Sequence, residues 1–396
     1  MGKTTRTLLA AALLLGVGVP SAVAADPAWA VPGSGTPAVV ATPASSPASP
    51  NLSAVIAGLP RADATAALVR VGGTEGSWRG AAGVRDLESM SPAVADGRFR
   101  IGSVTKVFTA ATVLRLAEEG RVDLDRTARS YLPELIPGRY ATVTVRQLLD
   151  HTHGIPAAAL PRRTVEEAYA HRFDRYTAEE LVRSATAQPR EFRPGTRQHY
   201  RNIGYTVAGL IVERVTGTSY ERQLERLVLR PLGLRDTYAP GASPLIAGPY
   251  NHGYQTMRLD DGTTGPRDVS VWGQTDAWAA GDLVSTTADL ERFTRALFAG
   301  RVVRGPLLEE MFTLPKVRDA KSGDPAAYSV GLSMKRLGGR EVWGKTGGRW
   351  GFNTAVASTR DGARTLVYAV NSTDAKGEDM NPTALGLMVA AYGLPE

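Results

Sequence analysis

The sequence predicts an α+β protein: an antiparallel sheet built from both termini and flanked by helices, with a mostly helical region inserted at about 120–265. Three observations lead there. Short segments near residue 70, and more after residue 328, read as strands separated by glycine turns. The stretch between them carries apolar residues at helical spacing, opened by Ser or Thr caps and closed by Gly. No internal repeat divides the chain, so its two strand-bearing ends are expected to share one sheet.

The elements follow in order. AALVRVGG (66–73) and SWRGAAGV (77–84) are strands joined by a Gly-rich turn. Phe99 to Ile101 is a short extended approach that turns at Gly102 into a helix beginning at Ser103. Val104, Val107, Phe108, Ala111 and Leu114 give that helix an apolar face, and Gly120 ends it. Residues 121–135 form a turn-rich connector. Thr144 caps a short helix, and Thr177 with Glu180 forms a capping box for the next. Asn202 to Val215 is helical with a stop at Gly217, and Ser219 opens a helix that meets Pro231 near its end. Ser285 to Asp289 caps the helix LERFTRALFAG. YSVGLSMKRL, REVWGKTGG, FNTAVASTR and RTLVYAVNS then form an antiparallel meander, and the helix PTALGLMVAAYGL closes the chain.

The front end is set apart. Lys3 and Arg6 precede an apolar run from Leu8 to Val19 that ends in Ala22-Val23-Ala24, the layout of a secretory signal peptide over 1–24. That run is short for a membrane span and no later stretch is long enough, so a secreted, soluble monomer with no stable membrane span is expected. Residues 25–52 are rich in Pro, Ala and Ser and read as a tether, with one folded domain over 53–396. The net charge is +7, yet no basic run is interleaved with aromatics, which argues against nucleic-acid binding. The absence of cysteine excludes disulfides, thiolate metal sites and Cys nucleophiles. Among five histidines only His151 and His153 are close, without a third ligand, so no metal or cofactor is expected.

The candidate chemistry centres on Ser103. At a helix start, free backbone N–H groups favour a developing anion, and Lys106 lies three residues on, on the same face. A serine is a weak nucleophile until a neighbouring base takes its proton, and an amine can be that base. An N-cap serine followed by a solvated lysine looks the same in isolation, so the partners matter. Tyr200 and Asn202 precede a helix; a tyrosine flanked by positive charge can relay protons, and an asparagine can orient an amide. Lys345 and Thr346 offer a cation and a hydroxyl to a carboxylate on an edge strand. Gly347 permits close approach of a ligand backbone, and the Gly348 N–H can form an oxyanion hole with the Ser103 N–H.

The order S-x-x-K, Y-x-N, K-T-G resembles the serine β-lactamase and penicillin-binding family. The match is nearest to secreted actinomycete-type D-alanyl-D-alanine carboxypeptidases and class C β-lactamases. It runs from about residue 55 to the C-terminus, through FRIGSVTKVFTA, TVRQLLDHTHGIP, PGTRQHYRNIGYTVAGLIVERVTG, AWAAGDLVSTTADLERF and WGKTGGRWGF. The resemblance implies a β-lactamase/transpeptidase-like fold. It implies acylation of Ser103 by a peptidoglycan stem peptide ending in D-Ala-D-Ala, with Lys106 and Tyr200 managing protons, Asn202 holding the substrate amide, and Lys345 and Thr346 binding the terminal carboxylate. β-Lactams are then expected as covalent inhibitors. Trp278 matches a family tryptophan bordering the substrate cleft.

Departures from the family pattern are Arg201 where many relatives have serine, His153 where many have serine, and Lys345 where close carboxypeptidases have histidine. On the strand GLSMKRL a further carboxylate contact falls to Lys335, to Arg336 or to neither. The leading expectation is an exported serine D-Ala-D-Ala carboxypeptidase. A β-lactamase or esterase on the same scaffold is the alternative, and a non-catalytic binder of β-lactams or wall fragments has no use for the complete set of reactive residues. No G-x-S-x-G elbow points to an α/β-hydrolase.

Overall fold

A computed structural model describes residues 49–160, 164–377 and 379–394. The expected signal peptide and most of the expected tether lie outside these residues. Residues 49–52 of that tether do not: they belong to helix α1, Ser49–Ile56.

Strands β1 (Ala64–Gly72), β2 (Trp78–Gly83), β3 (Ser333–Leu337), β4 (Arg340–Arg349), β5 (Phe352–Thr359) and β6 (Thr365–Ser372) form one antiparallel sheet in the order β2-β1-β6-β5-β4-β3. The termini meet where β1 pairs with β6, Leu68 opposite Ala369. With the helices described below, this is the β-lactamase/transpeptidase-like α+β fold.

Alternation along these strands is blurred because both faces of the sheet are covered; β6 is buried at every position. On the outer face Val69, Val342, Ala357 and Tyr368 pack against Leu52 and Ile56 of α1 and Leu387 of the last helix, Pro382–Tyr392. On the inner face Leu68, Trp343, Val356 and Val367 join the main core. That core contains helices Thr105–Glu118 (α2), Ile203–Thr216 (α3) and Thr287–Phe298 (α4). Among the described residues no helix is long and apolar enough to cross a membrane.

The capping residues act as their chemistry dictates. Thr144 with Gln147 and Thr177 with Glu180 form complete capping boxes, Gly217 ends α3 in the left-handed conformation, and Thr286 caps α4. Three local expectations change. The helix after Ser219 is interrupted by a π-type turn at Glu225–Leu229. The segment expected as a strand from Tyr328 begins pairing continuously only at Ser333, after a left-handed turn at Gly331 (φ +86°). A hairpin, Tyr254–Arg258 with Thr264–Asp268, stands at the end of the helical insertion.

Strand β3 pairs with β4 only as far as Gly344 opposite Ser333. Beyond it, residues 345–349 of β4 have a partner on the β5 side alone, and this free edge faces the helical region.

Candidate active site

Ser103 does not open an α-helix as expected. It sits in a single 3₁₀ turn, Gly102–Val104, and α2 begins at Thr105. The turn is pressed onto the free edge of β4. Gly102 adopts φ +50°, and a Cβ there would stand 2.9 Å from the Gly348 nitrogen. A Cβ at Gly347 would stand 2.0 Å from the Ile101 carbonyl oxygen. Gly347 therefore admits the Ser103 turn, where the sequence suggested close approach of a ligand. Thr354 Oγ1 clamps the same carbonyl at 2.8 Å.

Lys106 is fully buried, and its amine makes three contacts. Nζ donates to Asn202 Oδ1 (2.8 Å) and to the Ala280 carbonyl (2.6 Å), and stands 3.2 Å from Ser103 Oγ. A neutral amine has two N–H donors and one lone pair. The two acceptors take the donors, so the lone pair is left for the serine hydroxyl. Burial, then the charges of Lys345, Lys376 and Arg349, hold the Lys106 amine well below the usual lysine value, favouring that neutral form. Asn202, with Oδ1 engaged by Lys106, keeps its amide N–H groups for the cleft.

Tyr200 is half-buried beside Ser103, with its hydroxyl oxygen buried and making no hydrogen bond among the described residues. Burial, and then Tyr328, raises its pKa, so the phenol stays neutral despite the flanking positive charge. The cations meet its ring: Lys106 Nζ lies 5.0 Å and Lys345 Nζ 4.8 Å from the centroid. His151 packs on the same tyrosine at 4.4 Å, and burial keeps its imidazole neutral. Tyr328 completes the stack, 5.0 Å from Tyr200.

The free edge of β4 has a defined polarity. In an antiparallel pair alternate residues turn both backbone groups away from the partner. Lys345 Nζ donates to the Thr346 carbonyl and Lys376 Nζ to the Gly348 carbonyl, each at 2.9 Å, so residues 346 and 348 are the outward-facing ones. The Gly348 N–H accordingly faces the Ser103 turn, as an oxyanion donor must. Burial lowers the pKa of Lys345 to about 7.

These residues line a cleft of ≈ 330 Å³ that includes Ser103, Tyr200, Asn202, Tyr328, Lys345 and Gly348. Two expected members lie elsewhere. Thr346 lines an adjoining outer recess of ≈ 250 Å³ that Lys345 and Tyr328 also line, its side chain alternating with that of Lys345 along β4. Trp278 turns away: its indole N–H donates to Glu221 (2.7 Å) and its ring packs edge-on against Tyr220 and over Gly209 of α3. The group that this segment delivers to the site is the Ala280 carbonyl, two residues on.

Arg201 does not enter the cleft chemistry, since Glu191 holds its guanidinium at 2.9 and 2.5 Å. Arg336 pairs with Glu341, and Lys335 lines the outer recess. His153 points inward, accepting from the Ile155 N–H. Sequence reasoning missed Tyr328, Thr354 and Lys376. None has a motif of its own; chain folding alone brings them to Ser103. Among the described residues no three His, Cys, Asp or Glu side chains are grouped to hold a metal.

Known proteins resemble this chain in sequence and in fold. The family model described as Beta-lactamase matches residues 52–388. A curated esterase, EstB of Burkholderia gladioli, is 34% identical over 203 residues, 48% of this chain and 51% of its own length. Protein flp of Staphylococcus aureus (strain N315) is 30% identical over 39% of this chain and 30% of its own. The matches thus span about half of the first relative and less than a third of the second. Among solved structures, a D-stereospecific amidohydrolase from Streptomyces sp. superposes with a TM-score of 0.73 at 31% identity, over 86% of this chain and 98% of that one. A D-amino acid amidase from Ochrobactrum anthropi SV3, at 24% identity and a TM-score of 0.72, covers 86% of this chain and 97% of its own and shares the fold.

Proposed function

The chain belongs to the Beta-lactamase family of serine hydrolases, and from that premise we propose that it is a D-Ala-D-Ala carboxypeptidase acting through an acyl-enzyme on Ser103. The observation that carries the reading is the Lys106 amine, whose two acceptors leave its lone pair for Ser103 Oγ at 3.2 Å. Ser103 Oγ attacks the carbonyl carbon of the terminal peptide bond while Lys106 takes its proton. The carbonyl oxygen becomes an oxyanion held by the Ser103 and Gly348 N–H groups. The C–N bond then breaks, and the departing D-alanine nitrogen receives a proton passed from Lys106 through the neutral Tyr200 hydroxyl. Water, deprotonated by the same groups, hydrolyses the ester and frees Ser103. Lys345 meets the carboxylate of the leaving D-alanine.

The pattern of residues 1–24 supports action outside the cytoplasm, on peptidoglycan stem peptides. A second reading, an esterase or a D-stereospecific amidohydrolase, is favoured by the likeness to EstB and to the Streptomyces enzyme. It differs in having no leaving-group carboxylate for Lys345. An intact-mass time course with benzylpenicillin, beside hydrolysis of a D-Ala-D-Ala peptide and of D-amino acid amides, separates these readings. A long-lived adduct that Ser103→Ala abolishes, with release of D-alanine, supports the peptidase. Rapid drug turnover means a β-lactamase, and amide or ester cleavage without peptide cleavage means the second reading. Unchanged labelling of Ser103→Ala removes Ser103 as the nucleophile.

A further inference from the structure

The hydroxyl of Tyr200 makes no hydrogen bond among the described residues, so its place is set from outside the cleft. The ring rests on His151 and Tyr328, and the rest of the support comes through the chain on either side. The flanking backbone N–H groups of His199 and Arg201 both go to His151, one to its carbonyl oxygen (3.0 Å) and one to its Nδ1 (3.3 Å). The flanking side chains both go to Glu191. Its Oε2 accepts from His199 Nδ1 (2.6 Å), and its Oε1 accepts from two nitrogens of Arg201 (2.9 and 2.5 Å). A single carboxylate thus ties together the residues before and after Tyr200.

The three side chains of this clamp are mostly shielded, with 10% of His199, 20% of Glu191 and 21% of Arg201 exposed. In such a setting charge-assisted bonds hold more firmly than on an open surface. Burial works to raise the Glu191 pKa, but the bonds from His199 and Arg201 outweigh it and hold the carboxyl below its usual value, so it accepts from both as an anion. The second ring nitrogen of His199 is buried without a partner among the described residues, so the bond to Glu191 is the one that orients that ring. Glu191 is anchored in turn to the loop that carries His151. Its N–H donates to the Gly154 carbonyl (2.9 Å), and a Cβ at Gly154 (φ +68°) would stand 2.3 Å from the Phe192 carbonyl oxygen. Carboxylate, imidazole and the chain through Tyr200 therefore move as one unit.

We infer that Glu191 is a positioning residue for Tyr200, keeping its unbonded hydroxyl within reach of the departing atom. The inference rests on the part proposed above for Tyr200 in acylation. In that step the phenol gives its proton to the leaving group and takes one from the Lys106 ammonium, so it is neutral before and after. Proton transfer needs donor and acceptor within about 3 Å, and a displacement of about 1 Å can cost about 10²-fold in rate. Removing Glu191 releases the His199 ring and the Arg201 side chain together, and Tyr200 between them gains that freedom. A leaving group that needs no proton is indifferent to the change.

The test compares kcat/KM for the ethyl and p-nitrophenyl esters of N-acetyl-D-alanine, which share an acyl group. Ethoxide needs a proton as it leaves, and p-nitrophenolate does not. Tyr200→Phe should lower the ethyl-to-p-nitrophenyl ratio about 10²-fold, and Glu191→Ala about 10-fold. The double variant His199→Ala/Arg201→Ala cuts the clamp from its other side. It should reproduce the Glu191→Ala loss, which excludes an Arg201 side chain freed into the cleft as the cause. In Tyr200→Phe/Glu191→Ala the ratio should equal that of Tyr200→Phe alone, because both changes act on one group. Because the readout is a ratio on one preparation, a general loss of folded protein cancels. If Tyr200→Phe lowers the ratio but either clamp variant stays within about two-fold of wild type, or if the two effects multiply when combined, the role of Glu191 is overturned. A ratio unmoved by Tyr200→Phe, or a wild type that turns over neither ester, instead overturns the reading on which the inference rests.

Discussion

The contact of the Ser103 turn with β4 makes Gly347→Ala the most discriminating single substitution. The added methyl would lie 2.0 Å from the Ile101 carbonyl oxygen, 2.6 Å from Thr354 Oγ1 and 3.1 Å from the Ile101 carbonyl carbon, whereas ordinary contact begins at 3.4 Å. Two of these neighbours are held by the hydrogen bond between them, at 2.8 Å, and neither is the loose end of a flexible side chain. The turn must retreat from the strand by more than about 1 Å, since a close-packed interior has no slack to absorb the methyl. That retreat parts the Ser103 N–H from the Gly348 N–H. Loss of one oxyanion donor costs about 10²–10³-fold in kcat, and overpacking costs about 1–3 kcal/mol of stability. The assay is kcat on a neutral chromogenic ester together with thermal unfolding. Gly138→Ala serves as control, because a Cβ there meets nothing within 4 Å. A folded Gly347→Ala protein with kcat within two-fold of wild type would refute the pairing of the Ser103 turn with β4 as the oxyanion site.

Further outcomes follow from the same geometry. Lys106→Ala removes the proposed base and strands the Asn202 and Ala280 acceptors, so kcat should fall about 10²–10⁴-fold; Lys106→Arg should not rescue it, because a guanidinium does not deprotonate, and activity in that variant would count against the base. Lys345, with a pKa of about 7, is cationic below neutrality and neutral above it. KM for substrates with a free leaving-group carboxylate should therefore rise as pH climbs through 7 and beyond, whereas KM for neutral esters should show no such limb; identical profiles would remove Lys345 from carboxylate binding. Trp278→Phe loses the bond to Glu221 and should lower stability by about 1 kcal/mol with KM unchanged; a raised KM would return Trp278 to the substrate cleft.

Much of this site was legible in one dimension because its groups lie on local patterns. The three-residue spacing of Ser103 and Lys106 survives as a direct contact even though the turn is 3₁₀, since residues three apart share a face in either helix. The two-residue step from Tyr200 to Asn202 likewise brings both side chains to the cleft. The sheet was legible from the strands at both ends, and the caps from Thr-x-x-Glu and Thr-x-x-Gln.

What the sequence by itself determined was the set of reactive residue types, their order and the helix and strand segments that bear them, all of which depend on near neighbours. Only the tertiary structure decided which face each group presents. Pleat alternation turned Thr346 into the adjoining recess, and close packing sent the Trp278 indole to Glu221 and gave the Ala280 carbonyl to Lys106. Burial raised the pKa of Tyr200 and lowered that of Lys345, because desolvation depends on everything packed around a group. Lys376, far along the chain from Ser103, reaches the site only because β6 is held two strands from the free edge of β4, and no local pattern encodes that.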